Sequence, residues 1–135
     1  MSAMELTPEQ VEFFARNGYL AIERITSDDE VAWFRELYDR ILAKPGPFSI
    51  KYTTGGLIHQ VMSPDLHHSA LRDTHYFRNG RRLACQLLGV SEDELEGYFT
   101  HMIYKPAGTG RSTPWHQDEA YWDKPHLVHL SLIHI

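Results

Sequence analysis

His116 and Asp118 are the residues of this 135-residue chain whose types and spacing most directly suggest chemistry. In an extended strand successive side chains alternate faces, so these two, separated by Gln117, project the same way. An imidazole and a carboxylate offered from one short segment make two adjacent ligands for a metal ion. On non-haem Fe(II), such a pair joins a histidine from a distant strand in a two-histidine, one-carboxylate triad that leaves positions open for cosubstrate and oxygen. The bare pattern is not specific: nine histidines and 18 acidic residues among 135 produce it about once by chance. Its setting adds the specificity. A Gly108-Thr109-Gly110 loop precedes it, Pro114-Trp115 favours extended backbone leading into His116, and the aromatic pair Tyr121 and Trp122 follows.

Length and charge narrow the classes of function. The chain is long enough for one modest core, and no composition shift or Pro/Ser-rich linker marks a second domain. A net charge of -5 and a pI near 5.9 argue against a large phosphate-binding surface, and Arg81-Arg82 is too short a basic run to bind nucleic acid. The single cysteine, Cys85, excludes an internal disulfide and reads as a small buried side chain on a helix. The sequence has neither a signal-peptide pattern nor an apolar run of membrane-spanning length, so the expected location is cytoplasmic.

The elements that would position His116 and Asp118 can be read in order. Thr7-Pro8-Glu9-Gln10 is a capping box that opens a helix ending at Asn17-Gly18, and residues 19–22 then read as a short strand. A second box, Ser27-Asp28-Asp29-Glu30, starts a longer helix with Val31, Phe34, Leu37, Tyr38, Ile41 and Leu42 on one stripe, stopped by Pro45. Gly55-Gly56 separates two possible strand pieces within residues 48–62. Residues 65–89 read as helical, most clearly where Leu83, Leu87 and Leu88 keep helical spacing before Gly89. Ser91-Glu92-Asp93-Glu94 is a third box expected to open a brief helix, and residues 97–104 have strand composition. Helices that lead and strands that accumulate late suit an α+β, jelly-roll-type barrel with an N-terminal helical layer, with too few strands to close it.

Residues 130–135, Leu-Ser-Leu-Ile-His-Ile, have a second reading. Written as CTG TCT CTT ATA CAC ATC they translate the transposon end used to attach adapters in a common sequencing-library method. The expectation is adapter read-through, with the natural gene interrupted near residue 129 and His134 without a role. The alternative is an ordinary apolar strand.

The segment from Thr7 to Gly18, the Ser27 helix, Tyr104-Lys105-Pro106 and the run from Trp115 through His116-Gln117-Asp118 to Trp122 occur in an order that resembles the phytanoyl-CoA dioxygenase family. The likeness extends from about Leu6 to Tyr121. It implies a double-stranded β-helix (jelly roll, cupin-like), of which residues 1–135 are the N-terminal part of a single oxygenase domain, truncated before the barrel closes. It further implies that His116 and Asp118 bind Fe(II), and that 2-oxoglutarate and O2 are consumed as a small organic substrate is hydroxylated. By rough alignment, Gln60 and His101 fall where the family contacts 2-oxoglutarate, and Gln117 would support neighbouring backbone or the cosubstrate. For Gln60 and His101, a plain hydrogen-bonded place in a sheet is an equal reading.

Two of the family's parts are missing from this sequence. Its distal histidine and the arginine that pairs with the far carboxylate of 2-oxoglutarate lie well beyond the first motif, whereas this chain ends 17 residues after Asp118 and has no arginine after Arg111. His126 and His129 stand too close to His116 in sequence to reach across from an opposing strand. His59, His67, His68 and His75 form no zinc-site spacing. Trp115, Tyr121 and Trp122 read as pocket walls or barrel packing. The leading reading is therefore an incomplete oxygenase. Its alternatives are a non-catalytic jelly-roll module that binds a small molecule and a metal-dependent cupin with other chemistry.

Overall fold

The structure is a computed structural model that describes residues 4–97, 99–121 and 128–133. Helix α1, Pro8–Asn17, carries the predicted capping box: Thr7 accepts from the Gln10 amide at 3.3 Å and Gln10 accepts from the Thr7 amide at 2.9 Å. Helix α2, Asp28–Ala43, is capped by Ser27, and its apolar stripe buries Leu37 and Ile41. Strands β1, Ser49–Tyr52, and β2, Ile58–Met62, form an antiparallel hairpin around Gly55-Gly56, as their sequence suggested. The short α3, Pro64–His67, a 3-10 turn at Ser69–Asp73 and α4, His75–Leu88, account for the predicted helical middle. Strand β3, His101–Tyr104, then pairs antiparallel with β2, giving the sheet order β1-β2-β3.

The observed α+β arrangement follows the expected order, with the hairpin β1-β2 before α3 and α4 and the third strand after them. Residues 19–22 are not a strand. A strand needs a ladder partner, and the three-stranded sheet has none beside them; Tyr19 instead meets Phe13 edge-on at 5.4 Å. The third box forms a turn only. Glu94 accepts from both the Ser91 amide and its hydroxyl, while Arg81 of α4 takes the Glu92 and Leu95 carbonyls that a continuing helix would need.

Glu30 also departs from the box that predicted it. Ser27 caps α2 through the Glu30 amide, but the Glu30 carboxylate turns away to α4, accepting from the His75 and Tyr76 amides at 2.8 and 2.9 Å and from the Thr26 hydroxyl. One acidic side chain thus satisfies the first amides of another helix. Burial opposes its ionisation, yet the Thr26 hydroxyl, those two amides and the nearby His75 outweigh that cost and hold the carboxyl below the usual range. Asp65 ties α3 to the approach to β3 in a similar way. It pairs with Arg72 at 2.8 Å and accepts from the Thr100 hydroxyl, while the Ser63 amide donates to the Thr100 carbonyl at 2.8 Å.

The sheet has two unlike faces. Ser49, Lys51, His59, Val61, Met102 and Tyr104 share one side, where Val61 and Met102 join Leu37, Ile41 and Leu71 in the core beneath α2. Ile50, Tyr52, Ile58, Gln60, Met62, His101 and Ile103 share the other. On that second side Ile50, Tyr52 and Ile103 remain 40 to 51% exposed while Ile58 is buried, so the face is open only in part.

The Glu30 bridge predicts a pH-dependent contribution to stability. Replacing it in Glu30→Gln should cost about 1–3 kcal/mol near neutral pH, measured by urea unfolding followed by circular dichroism. Because the folded-state pKa is depressed, the deficit should be complete above the ordinary carboxylate range and shrink as pH falls through the depressed value. A deficit independent of pH would show that the carboxylate charge is not what holds α4.

Candidate active site

The site is built where the chain leaves β3. Residues 105–113 close into a loop: the Gly110 amide donates to the Pro106 carbonyl at 2.8 Å, and the Lys105 ammonium donates to the Thr113 hydroxyl. Two backbone hydrogen bonds fasten this loop to the residue before β2. The Leu57 amide donates to the Thr109 carbonyl at 2.9 Å, and the Arg111 amide donates to the Leu57 carbonyl at 3.0 Å. Leu57 and Gly110 make an isolated parallel bridge.

The strand expected to carry His116 and Asp118 does not form. Past Arg111 the backbone runs without a ladder partner, Pro114 has no amide to give one, and Asp118 instead begins a 3-10 turn, Asp118–Tyr121. Gln117 is exposed, and its carbonyl accepts from the Ala120 amide at 3.1 Å, closing that turn.

The two side chains converge all the same. His116 Nε2 lies 3.2 Å from Asp118 Oδ1. The other ring nitrogen, Nδ1, lies 2.8 Å from the Pro114 carbonyl oxygen. A carbonyl only accepts, so Nδ1 carries a hydrogen; Nε2 faces a carboxylate, which also only accepts, so that contact takes a second ring hydrogen, whose place a metal ion would fill on binding. Metal-binding histidines are usually oriented in this way, by an acceptor on the nitrogen that does not bind the ion. The donor spacing also fits one ion: with metal–donor bonds of about 2.1 Å, ligands at right angles stand about 3.0 Å apart. Both side chains are about 40% exposed, so a ligand can reach them.

Asp118 Oδ2 accepts from the Ser131 hydroxyl at 2.9 Å, and His129 Nδ1 lies 3.4 Å from Glu119. His129 therefore faces a different carboxylate from the one beside His116. Among the described residues no set of three or more His, Cys, Asp or Glu side chains is arranged to hold a metal. His126, Trp122 and His134 lie outside the described residues. Thr113, Pro114, Trp115 and Ile133 join His116, Asp118 and Ser131 around an open depression of about 510 Å³, and Trp115 stands fully in solvent at its rim.

Gln60 and His101 lie on the partly open face of the sheet, with Gln60 half-buried. Gln60 is opposite Ile103 and His101 opposite Met62, which makes the two polar residues diagonal neighbours across β2 and β3. Desolvation lowers the His101 pKa, favouring the neutral ring, and Phe99 lies 5.8 Å from it. The other histidines separate from this group. His75 approaches Glu30 at 3.4 Å, His67 stacks on Phe48 at 4.2 Å, and His59 is buried on the helical side of the sheet.

Sequence reasoning missed three contributors: the Pro114 carbonyl that orients the His116 ring, the Leu57 backbone that holds the loop, and Lys105, which closes it. Only Pro114 carried a local signal, as a proline two residues before the candidate ligand. The Leu57 contact joins residues more than fifty positions apart and has no local pattern.

Comparison with known proteins identifies relatives of this chain. The family profile described as phytanoyl-CoA dioxygenase (PhyH) matches residues 14–134. The chain is 30% identical over 121 residues to an ectoine dioxygenase of Stutzerimonas stutzeri (strain A1501) and 27% identical over 118 residues to one of Sphingopyxis alaskensis, in each case covering 87% of this chain and 39% of the relative. The crystal structure of EvdO2 from Micromonospora carbonacea var. aurantiaca superposes with a TM-score of 0.70 at 30% identity, over 90% of this chain and 52% of that one. A second EvdO2 structure, complexed with 2-oxoglutarate, matches equally well. The chain thus spans about two-fifths of the length of these curated relatives and about half of the solved structure. With its own fold, its profile match and its relatives in agreement, the chain belongs to the phytanoyl-CoA dioxygenase family.

Proposed function

We propose that this chain is the N-terminal part of an Fe(II)- and 2-oxoglutarate-dependent dioxygenase that hydroxylates a small organic substrate, and that the barrel closes only with further strands following residue 129. The observation that carries the reading is the pairing of His116 Nε2 with Asp118 at 3.2 Å while Nδ1 is held by the Pro114 carbonyl. Family membership and the resemblance to a structure complexed with 2-oxoglutarate support it.

Each residue then has a task. His116 would offer Nε2 in a fixed orientation and Asp118 an oxygen beside it, a metal ion displacing protons from its ligands as it binds. Bound ferrous iron would supply the activation of oxygen and couple decarboxylation of 2-oxoglutarate to hydroxylation of substrate. Gln60 and His101 would hydrogen-bond 2-oxoglutarate from the partly open sheet face, where a neutral His101 can donate from one nitrogen and accept at the other. Gln117 would support the backbone between the two ligands. Trp115 and the depression beside it would wall the substrate from solvent once the rest of the barrel is in place. The distal histidine and the 2-oxoglutarate-binding arginine would come from the later strands. Residues 130–135 would be replaced by the natural continuation, together with the Ser131 contact to Asp118.

A non-catalytic binding module is the second reading, favoured by the lack of a three-ligand cluster among the described residues. Protein made from the full reading frame separates the two. Supplied with Fe(II), O2 and 2-oxoglutarate, it should form succinate, and His116→Ala and Asp118→Asn should each lower the rate by more than about 100-fold, beyond what loss of a supporting residue costs. No iron-dependent succinate from the intact frame would favour the binding module. Resequencing across codon 130, with a library method that attaches no transposon ends, should find the frame continuing past His129 to a distal histidine and arginine. A stop codon directly after Ile135 would contradict the proposed continuation.

A further inference from the structure

We propose that Gly56 is a positioning residue for the His116 and Asp118 segment, acting through the backbone of Arg111. The inference rests on the reading of those two side chains as metal ligands, and it concerns how they are held. Gly56 has φ +109°, and a Cβ built on it would stand 2.8 Å from the Arg111 nitrogen, 2.9 Å from the Arg111 Cα and 3.0 Å from the Gly110 carbonyl carbon. All three atoms are backbone, so no flexible side chain can move to make room. The next residue, Leu57, exchanges hydrogen bonds with Thr109 and Arg111 at 2.9 and 3.0 Å. Only a residue without a side chain lets the two backbones approach this closely.

The connection to the site is short. Arg111 is fixed on Leu57, Thr113 is fixed on Lys105, and the Pro114 carbonyl holds the His116 ring. Residues 111–117 are exposed, so side-chain burial contributes little to their placement and the backbone ties correspondingly more. The shift of Arg111 that a methyl group at residue 56 forces would pass along this path to the imidazole. Gly55 supplies the internal comparison: it also has positive φ, +76°, but a Cβ there meets nothing within 4 Å. A substitution at Gly55 strains the turn, whereas one at Gly56 strains the turn and also pushes on the ligand loop.

The test measures Mn(II) binding by titration calorimetry in full-frame protein, with a thermal melt to verify folding. Gly56→Ala should weaken Mn(II) by roughly 10- to 100-fold, as loss of ligand support typically does, while Gly55→Ala binds as the parent protein. Arg111→Pro removes the amide that donates to Leu57 without adding an atom at residue 56, and should also weaken binding; it decides the matter if Gly56→Ala fails to fold. Parent-like binding by a folded Gly56→Ala, equal weakening by both glycine variants, or parent-like binding by Arg111→Pro when Gly56→Ala is unfolded would overturn the inference. His116→Ala tests the underlying assignment separately: undiminished Mn(II) binding there removes the metal reading, and the positioning role with it.

Discussion

Strand β2 is hydrogen-bonded along both edges and sends alternate side chains to two unlike faces, and the rest of the molecule follows from that constraint. Because strand side chains alternate, pairing with β1 and β3 commits Val61 to the helical core and Gln60 to the opposite side. A shift of one residue in this register would carry Gln60 into the apolar core and leave Val61 outside. The helices are fastened around this arrangement by polar ties: Glu30 joins α2 to α4, and Asp65 joins α3 to the approach to β3. Such bonds cost little where both partners are satisfied and a great deal where one is removed, which is why they fix an arrangement more firmly than their net energies suggest.

The start of β2 also anchors the loop that leads to the chemistry. Leu57 gives the loop a backbone register against the sheet, and the chain then runs through Thr113 and Pro114 to His116. Orientation of the imidazole comes from a backbone carbonyl two residues away, so the segment itself supplies part of the support that the proposed metal-binding role would need. The site does not need a regular strand beneath it. A loop tied down at Leu57, closed by Lys105 and ended by a 3-10 turn brings the imidazole and carboxylate to 3.2 Å.

The sequence disclosed those features that depend on local chemistry. Thr7 and Ser27 announced their helices because a cap acts within three residues, and Gly55-Gly56 marked its hairpin because tight turns have few alternatives. Residues 19–22 have suitable strand composition, but strand formation is decided by a partner elsewhere in the chain. Glu30 was read as half of a local capping box, and a contact 45 residues away took its carboxylate. The proximity of His116 and Asp118 was expected from strand alternation, but no strand forms there, and an irregular segment ending in a 3-10 turn brings them to 3.2 Å. Nothing in the one-dimensional pattern could have linked Gly56 to Arg111, since that constraint exists only where two distant backbones meet.

If the proposed oxygenase reading holds, the His116 loop and the partly open sheet face bearing Gln60 and His101 serve one centre. Histidine-selective nitrogen NMR of full-frame protein, with and without Mn(II), distinguishes one centre from two, because the paramagnetic ion broadens nearby ring signals. The His116 signals should disappear and those of His101 should broaden strongly, while His75, on the helical side beside Glu30, stays sharp. Loss of His116 with His101 as sharp as His75 would show that the loop and the sheet face do not share a centre.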